Sequence, residues 1–185
     1  MSFLRRHGWQ LAGLVVALVV VVVGKQFYRT ASPGDLTWIL APTARSVSLL
    51  THSTFVYEAG AGWIDRDQTF IIAAACAGVN FAIAAFLVIT FGWLGGMRSA
   101  RTTIGRLAGA AAVAYLATIM VNTLRIAIAL ALHRGVIDIG DLDRAEVHRD
   151  EGIVIYLAGL CALYALARAL TRTFETRRNH DVVPG

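Results

Sequence analysis

Charged residues are scarce in this chain, and cysteine is scarcer still. Only 16% of the 185 residues are charged, 57% are hydrophobic, and the mean hydropathy is +0.62. These values are outside the usual range of soluble domains and typical of integral membrane proteins. The two cysteines, Cys76 and Cys161, are 85 residues apart, which excludes a disulfide framework and the C-x-x-C spacing of zinc or redox sites.

Lysine is almost absent, because sixteen of the seventeen basic residues are arginines. The arginines lie between apolar segments and do not form the aromatic-interleaved stripe of a nucleic-acid-binding surface. No H-E-x-x-H or comparable metal-ligand spacing occurs in the chain. We therefore expect a single integral membrane domain over residues 1–185, with no nucleic-acid partner, no metal and no cofactor.

Four apolar runs are long enough to cross a hydrocarbon core about 30 Å thick as helices. The predicted spans are residues 9–28, 71–94, 107–132 and 152–170. This pattern predicts an all-α polytopic membrane protein. Between and after the spans we expect a short basic loop at 97–106, a polar loop at 133–151 and a flexible basic tail at 171–185.

The first apolar run also has the basic start and short apolar core of a cleavable signal peptide. Two arginines precede the run, and Trp9, Phe27 and Tyr28 bracket it in the manner of interfacial anchors. The sequence KQFYRT at 25–30 follows where small residues should mark a cleavage site. This favours an uncleaved membrane helix.

Two kinds of structure are expected in the connection before the second span. Residues 38–50 are moderately apolar and contain Pro42, which favours an interfacial or re-entrant helix over a span. Residues 54–72 alternate apolar and polar types on both sides of Gly60-Ala-Gly62. The alternation predicts a β-hairpin that leads directly into the next helix.

The charges predict an orientation for this bundle. Segments 1–10, 97–106 and 168–185 hold nine arginines and two acids, whereas segments 24–70 and 133–151 hold seven basic residues and ten acids. The positive-inside rule places both termini and the basic loop in the cytoplasm, with the hairpin and the acidic loop outside. In a bacterium this membrane is the inner, cytoplasmic one.

That orientation places three chemically capable side chains at one depth. Cys76 lies shortly after the outer start of the second span and Arg125 shortly before the outer end of the third, both roughly 8 to 10 Å below the surface at 1.5 Å per residue. His148 precedes the fourth span at the same face. Asn80 is one turn below Cys76, and Asn122 shares a helix face with Arg125.

These groups suit nucleophilic acyl transfer. A thiol attacks as its thiolate, which a neighbouring cation or a helix N-terminus stabilises, and Arg125 is a permanent cation. An arginine at membrane depth is retained with a partner or a role. Imidazole moves protons near neutral pH, so the residues themselves assign proton transfer to His148 and charge stabilisation to Arg125.

Three motifs in this order resemble those of the exosortase and archaeosortase family. They are ACAGVNF at 75–81, NTLR at 122–125 and HRDEG at 148–152, and WILAPTA at 38–44 makes the chain most similar to the short exosortase K type. The resemblance covers about residues 38–160. It departs from the family pattern at Ala77, where many members have serine, and in having four spans where larger members have about eight.

The resemblance implies a membrane cysteine protease or transpeptidase that cleaves C-terminal sorting signals of the PEP-CTERM kind. Its substrates are exported proteins ending in a short motif, a transmembrane helix and a basic tail. It implies that Cys76 is the acyl-thioester nucleophile, Arg125 the proton donor and His148 the residue that stabilises the transition state. We expect Gly78, Asn80 and Asn122 to be supporting residues. The acceptor of the acyl group, and the roles of Arg125 and His148, stay open.

Alternative interpretations exist for each residue. A lone cysteine in an apolar helix is usually a small filler, which is our interpretation of Cys161. Arg125 could extend to the interface, or pair with an acid of another protein if the chain is a non-catalytic subunit of a membrane complex. A metal-dependent hydrolase would have to use His133, His148 and acids of the polar loop.

Overall fold

The computed structural model describes the backbone of residues 2–67, 69–135 and 144–180, and the side chains of residues 7–67, 69–135 and 151–169. Within these residues the elements in chain order are α1 (Ser2–Thr30), α2 (Thr37–Thr51), β1 (Phe55–Glu58), β2 (Gly62–Asp65), β3 (Ile71–Ile72), α3 (Val79–Trp93), α4 (Ala100–His133) and α5 (Arg144–His180). Two short 3-10 helices, Ala74–Ala77 and Leu94–Gly96, flank α3.

In the described part of the chain, four helical segments are long and apolar enough to cross a membrane. They are His7–Thr30, Ala74–Gly96, Ala100–His133 and Glu151–Ala169. They correspond in number and order to the four predicted spans, so this part of the prediction is confirmed. Of these four segments, those of α3 and α4 are the more buried, whereas in α1 and in the described part of α5 most apolar side chains are exposed.

The predicted hairpin is present and has a third strand. Strands β1 and β2 pair antiparallel with Val56 opposite Ile64, and β2 pairs antiparallel with β3. The backbone of Gly62, with φ +120°, lies close to β3. A Cβ at this position would be 2.5 Å from the carbonyl oxygen of Ile72. Only glycine fits that position, and β3 leads directly into the 3-10 helix before α3.

Asp65 and Arg134 fasten this sheet to the end of α4. Asp65 is only 3% exposed, and its carboxylate accepts from the guanidinium of Arg134 at 3.1 Å and from the backbone N–H of Asp67 at 2.8 Å. Burial raises the pKa of Asp65, but these hydrogen bonds and the charge of Arg134 outweigh burial, so the net pKa lies below its ordinary value. The ionised carboxylate therefore stabilises the junction.

The predicted helix before the second span is α2, and its proline explains how it docks. Pro42 lacks an N–H, so the carbonyl of Trp38 has no partner four residues along the helix. The hydroxyl of Tyr115, on α4, donates to that carbonyl at 2.9 Å, and the Tyr115 and Trp38 rings stack with centroids 5.8 Å apart. The proline thus creates the acceptor that joins α2 to α4.

Helix α4 has a buried stripe with a spacing of four residues, which is the repeat of one helix face. The stripe consists of Ala110, Ala114, Thr118, Asn122, Ile126 and Leu130. Its small residues let α3 approach closely, as small residues do between membrane helices. One polar group with strong hydrogen-bonding capacity, the amide of Asn122, is thereby carried into the interior.

The basic loop predicted at 97–106 is wrong in its extent, because α4 already begins at Ala100. Ser99 caps the helix: its hydroxyl accepts from the backbone N–H of Thr102, and the Thr102 hydroxyl accepts from the backbone N–H of Ser99. This capping box satisfies N–H groups of the first turn. Arg101 and Arg106 are therefore helical, and the Arg106 guanidinium donates to the carbonyl of Trp93 at 2.7 Å.

The polar loop predicted at 133–151 is also shorter than expected. Helix α5 begins at Arg144, before the predicted fourth span, and its backbone is helical through His180. It thus continues into the segment predicted to be a flexible tail. Residues 136–143 and 181–185 lie outside the described part of the chain.

Candidate functional site

Cys76 lies in the 3-10 helix Ala74–Ala77 and not in the α-helix of the second span, which corrects its predicted setting. The break comes from Gly78, whose φ of +69° ends the 3-10 helix and begins α3. A glycine adopts this left-handed conformation without the cost that other residues have. The half-buried, free thiol of Cys76 thus precedes the N-terminus of α3, where a helix dipole favours an anion.

Gly78 also lies against α4. A Cβ at Gly78 would lie 3.1 Å from Cγ2 of Thr118 and 3.2 Å from Cγ of Asn122. The missing side chain lets Asn122 reach past Gly78, and its amide N–H donates to the carbonyl oxygen of Cys76. The structure therefore brings together Cys76, Gly78 and Asn122 of the predicted site.

Tyr156 of α5 connects this amide to Arg125. Its hydroxyl donates to Oδ1 of Asn122 at 2.9 Å and accepts from Nη1 of Arg125 at 3.5 Å. Its ring lies 5.3 Å from the Arg125 guanidinium, in cation–π range, and 5.3 Å from the ring of Phe81. Tyr156 was not predicted as a site residue.

The side chain of Arg125, on α4, extends to α5. Gly152 allows this approach, because a Cβ there would lie 2.8 Å from Nε of Arg125. Glu151, at the start of the fourth span, interacts electrostatically with the guanidinium. Among the described side chains no hydrogen bond joins Arg125 to the Cys76 thiol. The hydrogen-bonded route from Arg125 runs through Tyr156 and Asn122 to the backbone carbonyl of Cys76.

Helix α1 contributes two residues to the site that were not predicted as site residues. Tyr28 donates from its hydroxyl to the carbonyl of Ala74 at 3.4 Å and lies within electrostatic reach of Cys76 and Arg125. Lys25 donates from Nζ to Oδ1 of Asn80 at 2.5 Å. Asn80 is therefore exposed and bonded to α1.

The side chain of His148, the third predicted catalytic residue, lies outside the described residues. Its backbone belongs to α5, so it is on a helix and not in a loop. His148, Gly152 and Tyr156 are spaced by four residues, which places them on one side of the helix. That side meets Arg125 at Gly152 and at Tyr156.

An apolar cavity of about 290 Å³ lies beside the site between α1, α2, α3 and α4. Val79, three residues after Cys76, forms part of its wall, and small side chains such as Ala82 and Ala111 leave the space open. The lining residues named for the cavity are apolar or aromatic, so it suits hydrocarbon and not a charged group.

The remaining candidate residues stand apart from this site. Cys161 is exposed on α5, and the ring of His133 lies edge-on to Phe70 at 6.0 Å. His52 ends α2 with a left-handed backbone. Within the described side chains, no group of three histidines, cysteines or acids could hold a metal ion.

The sequence carried only a weak signal for the residues that were missed. Tyr28 was interpreted as an interfacial anchor, and Tyr156 lies in the apolar run IVIYLAG without a polar neighbour. The spacing of Tyr156, eight residues from His148 and four from Gly152, was the available hint.

No family model matches this chain, and no curated protein or solved structure matches it significantly.

Proposed function

We propose that this chain is a membrane-embedded cysteine protease or transpeptidase that cleaves C-terminal sorting signals of exported proteins. The observation that carries the proposal is the hydrogen-bonded chain from Arg125 through Tyr156 and Asn122 to the backbone of Cys76. A cysteine that served only as an apolar filler would not require a buried amide, a tyrosine and a guanidinium from two other helices to hold its turn.

The reaction begins with the Cys76 thiolate. Its sulfur bonds to the carbonyl carbon of the scissile peptide, the carbon–nitrogen bond breaks, and the departing amine takes a proton from His148. The acyl group then passes from the thioester to an acceptor nucleophile, either water, a lipid or another amine, whose proton returns to His148. Arg125 supplies fixed positive charge beside the site, which its contacts with Tyr156 support.

The position of Cys76 supports its role as nucleophile. The thiol precedes the first free N–H groups of α3, and both the helix dipole and the nearby guanidinium favour negative charge there. The left-handed Gly78 directs the chain into α3 immediately after the 3-10 helix.

The substrate we propose is an exported protein that ends in a short motif, an apolar helix and an arginine cluster. The apolar cavity supports this substrate, since it offers about 290 Å³ of hydrocarbon-lined space whose wall includes Val79, three residues after Cys76. Side chains of the substrate's apolar helix would enter it from the bilayer. The membrane itself is thus part of substrate binding.

The orientation we propose for the chain is that of a bacterial inner-membrane protein with its active site on the outer side. The basic segments 1–10, 97–106 and 168–185 then face the cytoplasm, as the positive-inside rule requires. The three-stranded sheet and the start of α5 face outward. Labelling of single cysteines at positions 60 and 140 should find both outside, and labelling from opposite sides would exclude this arrangement.

The function is tested by replacing each cysteine in turn. Cys76→Ala should abolish processing of a co-expressed protein from the same genome that carries such a C-terminal signal, while Cys161→Ala should process normally. Immunoblots of membrane fractions measure both processing and the amount of inserted enzyme. Continued processing by Cys76→Ala would exclude the enzyme and favour the non-catalytic subunit of a membrane complex.

A further inference from the structure

We infer that Tyr156 is a positioning residue that holds the Cys76 turn through Asn122 and couples it to Arg125. The catalytic consequence of this inference rests on the proposed function. The structural part does not, because it concerns how the carbonyl group of Cys76 is held in the protein without substrate.

The direction of every hydrogen bond in this chain follows from the groups themselves. A backbone carbonyl only accepts, so the NH₂ of Asn122 faces Cys76 and its Oδ1 faces Tyr156. Oδ1 also only accepts, so the Tyr156 hydroxyl must donate its one hydrogen to Asn122. The hydroxyl oxygen is then left to accept from Arg125, which has donors only.

The three bonds therefore run in one sense, from the cation to the Cys76 carbonyl. Hydrogen bonds aligned in this way polarise one another, and the effect is larger where water is excluded. Asn122 is 0% exposed. The positive charge of Arg125 thus strengthens the hold on Cys76 although no hydrogen bond joins the guanidinium to the thiol among the described residues.

The surroundings of Tyr156 fix its hydroxyl in place. The ring packs between Phe81 and Arg125, each 5.3 Å away. Gly152 and Gly159, one turn to either side, let α5 lie close to α4: a Cβ at Gly159 would be 3.0 Å from Cγ2 of Val121. The hydroxyl therefore has little freedom to leave Asn122.

The same helix provides a matched control. Tyr164 also pairs with an arginine, accepting from Nη1 of Arg168 at 3.3 Å with the guanidinium 5.8 Å from its ring. Tyr164 is exposed, and within the described side chains its hydrogen bond and its cation–π contact are both with Arg168 and not with a group of the Cys76 site. Tyr164→Phe removes an equivalent hydroxyl from an equivalent pair and should leave Cys76 unaffected.

The experiment uses the full chain with Cys161→Ala, so that Cys76 is the one cysteine. Labelling cysteine with carbon-13 at its carbonyl gives a single resonance that reports the hydrogen bond from Asn122. Tyr156→Phe should shift this resonance and lower the rate of Cys76 alkylation by N-ethylmaleimide about 2- to 10-fold, the range for one lost hydrogen bond. Tyr164→Phe should change neither measurement.

A second pair of variants separates positioning from general loosening of the fold. In an Asn122→Ala background, Tyr156→Phe should have almost no further effect on alkylation, because Tyr156 acts through Asn122. Replacing Tyr156 by 3-fluorotyrosine, which keeps the hydroxyl and makes it a stronger donor, should shift the carbonyl resonance opposite to the phenylalanine variant.

An unchanged carbonyl resonance in Tyr156→Phe, or a full additional loss in the Asn122→Ala background, would overturn the inference. Because these measurements need no substrate, they remain decisive if the chain processes no sorting signal. If the phenylalanine variant proves unstable in a thermal scan, the 3-fluorotyrosine chain alone decides the outcome, since an unmoved resonance there refutes a bond from this hydroxyl.

Discussion

Replacing Gly78 by alanine should disturb the site in two separable ways. The backbone has φ +69°, a left-handed conformation that costs residues with a Cβ about 1–2 kcal/mol. The new Cβ would also lie 3.1 Å from Thr118 and 3.2 Å from Asn122, and such overpacking costs about 1–3 kcal/mol. Together these effects predict that Gly78→Ala lowers the free energy of unfolding by roughly 2–5 kcal/mol.

Gly60→Ala is the control for the backbone contribution. Gly60 has φ +85°, but a Cβ there meets nothing within 4 Å, so only the conformational cost of about 1–2 kcal/mol applies. Thermal unfolding in detergent should therefore rank native above Gly60→Ala and Gly60→Ala above Gly78→Ala. Only Gly78→Ala should also change the alkylation rate of Cys76, because it displaces Asn122 from the Cys76 carbonyl.

A suppressor tests the steric part of this reasoning. Thr118→Ser removes the methyl group that the new Cβ would approach and keeps the hydroxyl, which donates to the carbonyl of Ala114 at 2.6 Å. The double variant should recover part of the stability that Gly78→Ala loses. Equal losses for Gly60→Ala and Gly78→Ala, with no recovery by Thr118→Ser, would refute the close approach of α4 as the reason for a glycine at 78.

Two further predictions concern the sheet and the cavity. Asp65→Asn should destabilise the chain by about 1–3 kcal/mol near neutral pH. The pKa of Asp65 lies below its ordinary value, so its contribution to stability is present above about pH 4 and is lost as pH falls through the lower folded pKa. The thermal midpoints of the native chain and the variant should therefore converge in acid. A difference between the midpoints that stays constant with pH contradicts the ion pair. Ala111→Phe fills part of the cavity wall and should reduce substrate processing at least 10-fold while alkylation of Cys76 stays unchanged. Ala112 is exposed and outside the lining, so Ala112→Phe should process substrate normally. Equal processing by the two variants would exclude the cavity from substrate binding.

The four spans and the hairpin could be predicted because each depends on local sequence. Apolar runs of sufficient length identify membrane helices, and Gly60-Ala-Gly62 between alternating residues indicates a turn. The start of α4 was predicted too late because the arginines of 97–106 were interpreted as a loop. Ser99 and Thr102 nevertheless have the spacing of a capping box. Charge indicates the side of a membrane and does not end a helix.

The side-by-side arrangement of the helices could not be predicted in the same way. A span that is apolar on all faces does not reveal which face meets its neighbour, so the contacts of Tyr156 with Asn122 and of Tyr28 with Ala74 had no periodic signal. Asn80 was predicted one turn below Cys76 on the same helix, but Gly78 separates the 3-10 helix of Cys76 from α3, and the Asn80 side chain accepts from Lys25 of α1. The direction in which each side chain points required the packed structure.

The bond between Lys25 and Asn80 has a practical consequence, because Lys25 is the one lysine in the chain. An amine-selective reagent can therefore modify this side chain and the N-terminal amine and nothing else among the 185 residues. Lys25 is exposed, and acylation competes with its donation to Asn80, so the rate of labelling reports how often this hydrogen bond opens. The chain thus contains a natural chemical probe for one contact between α1 and α3.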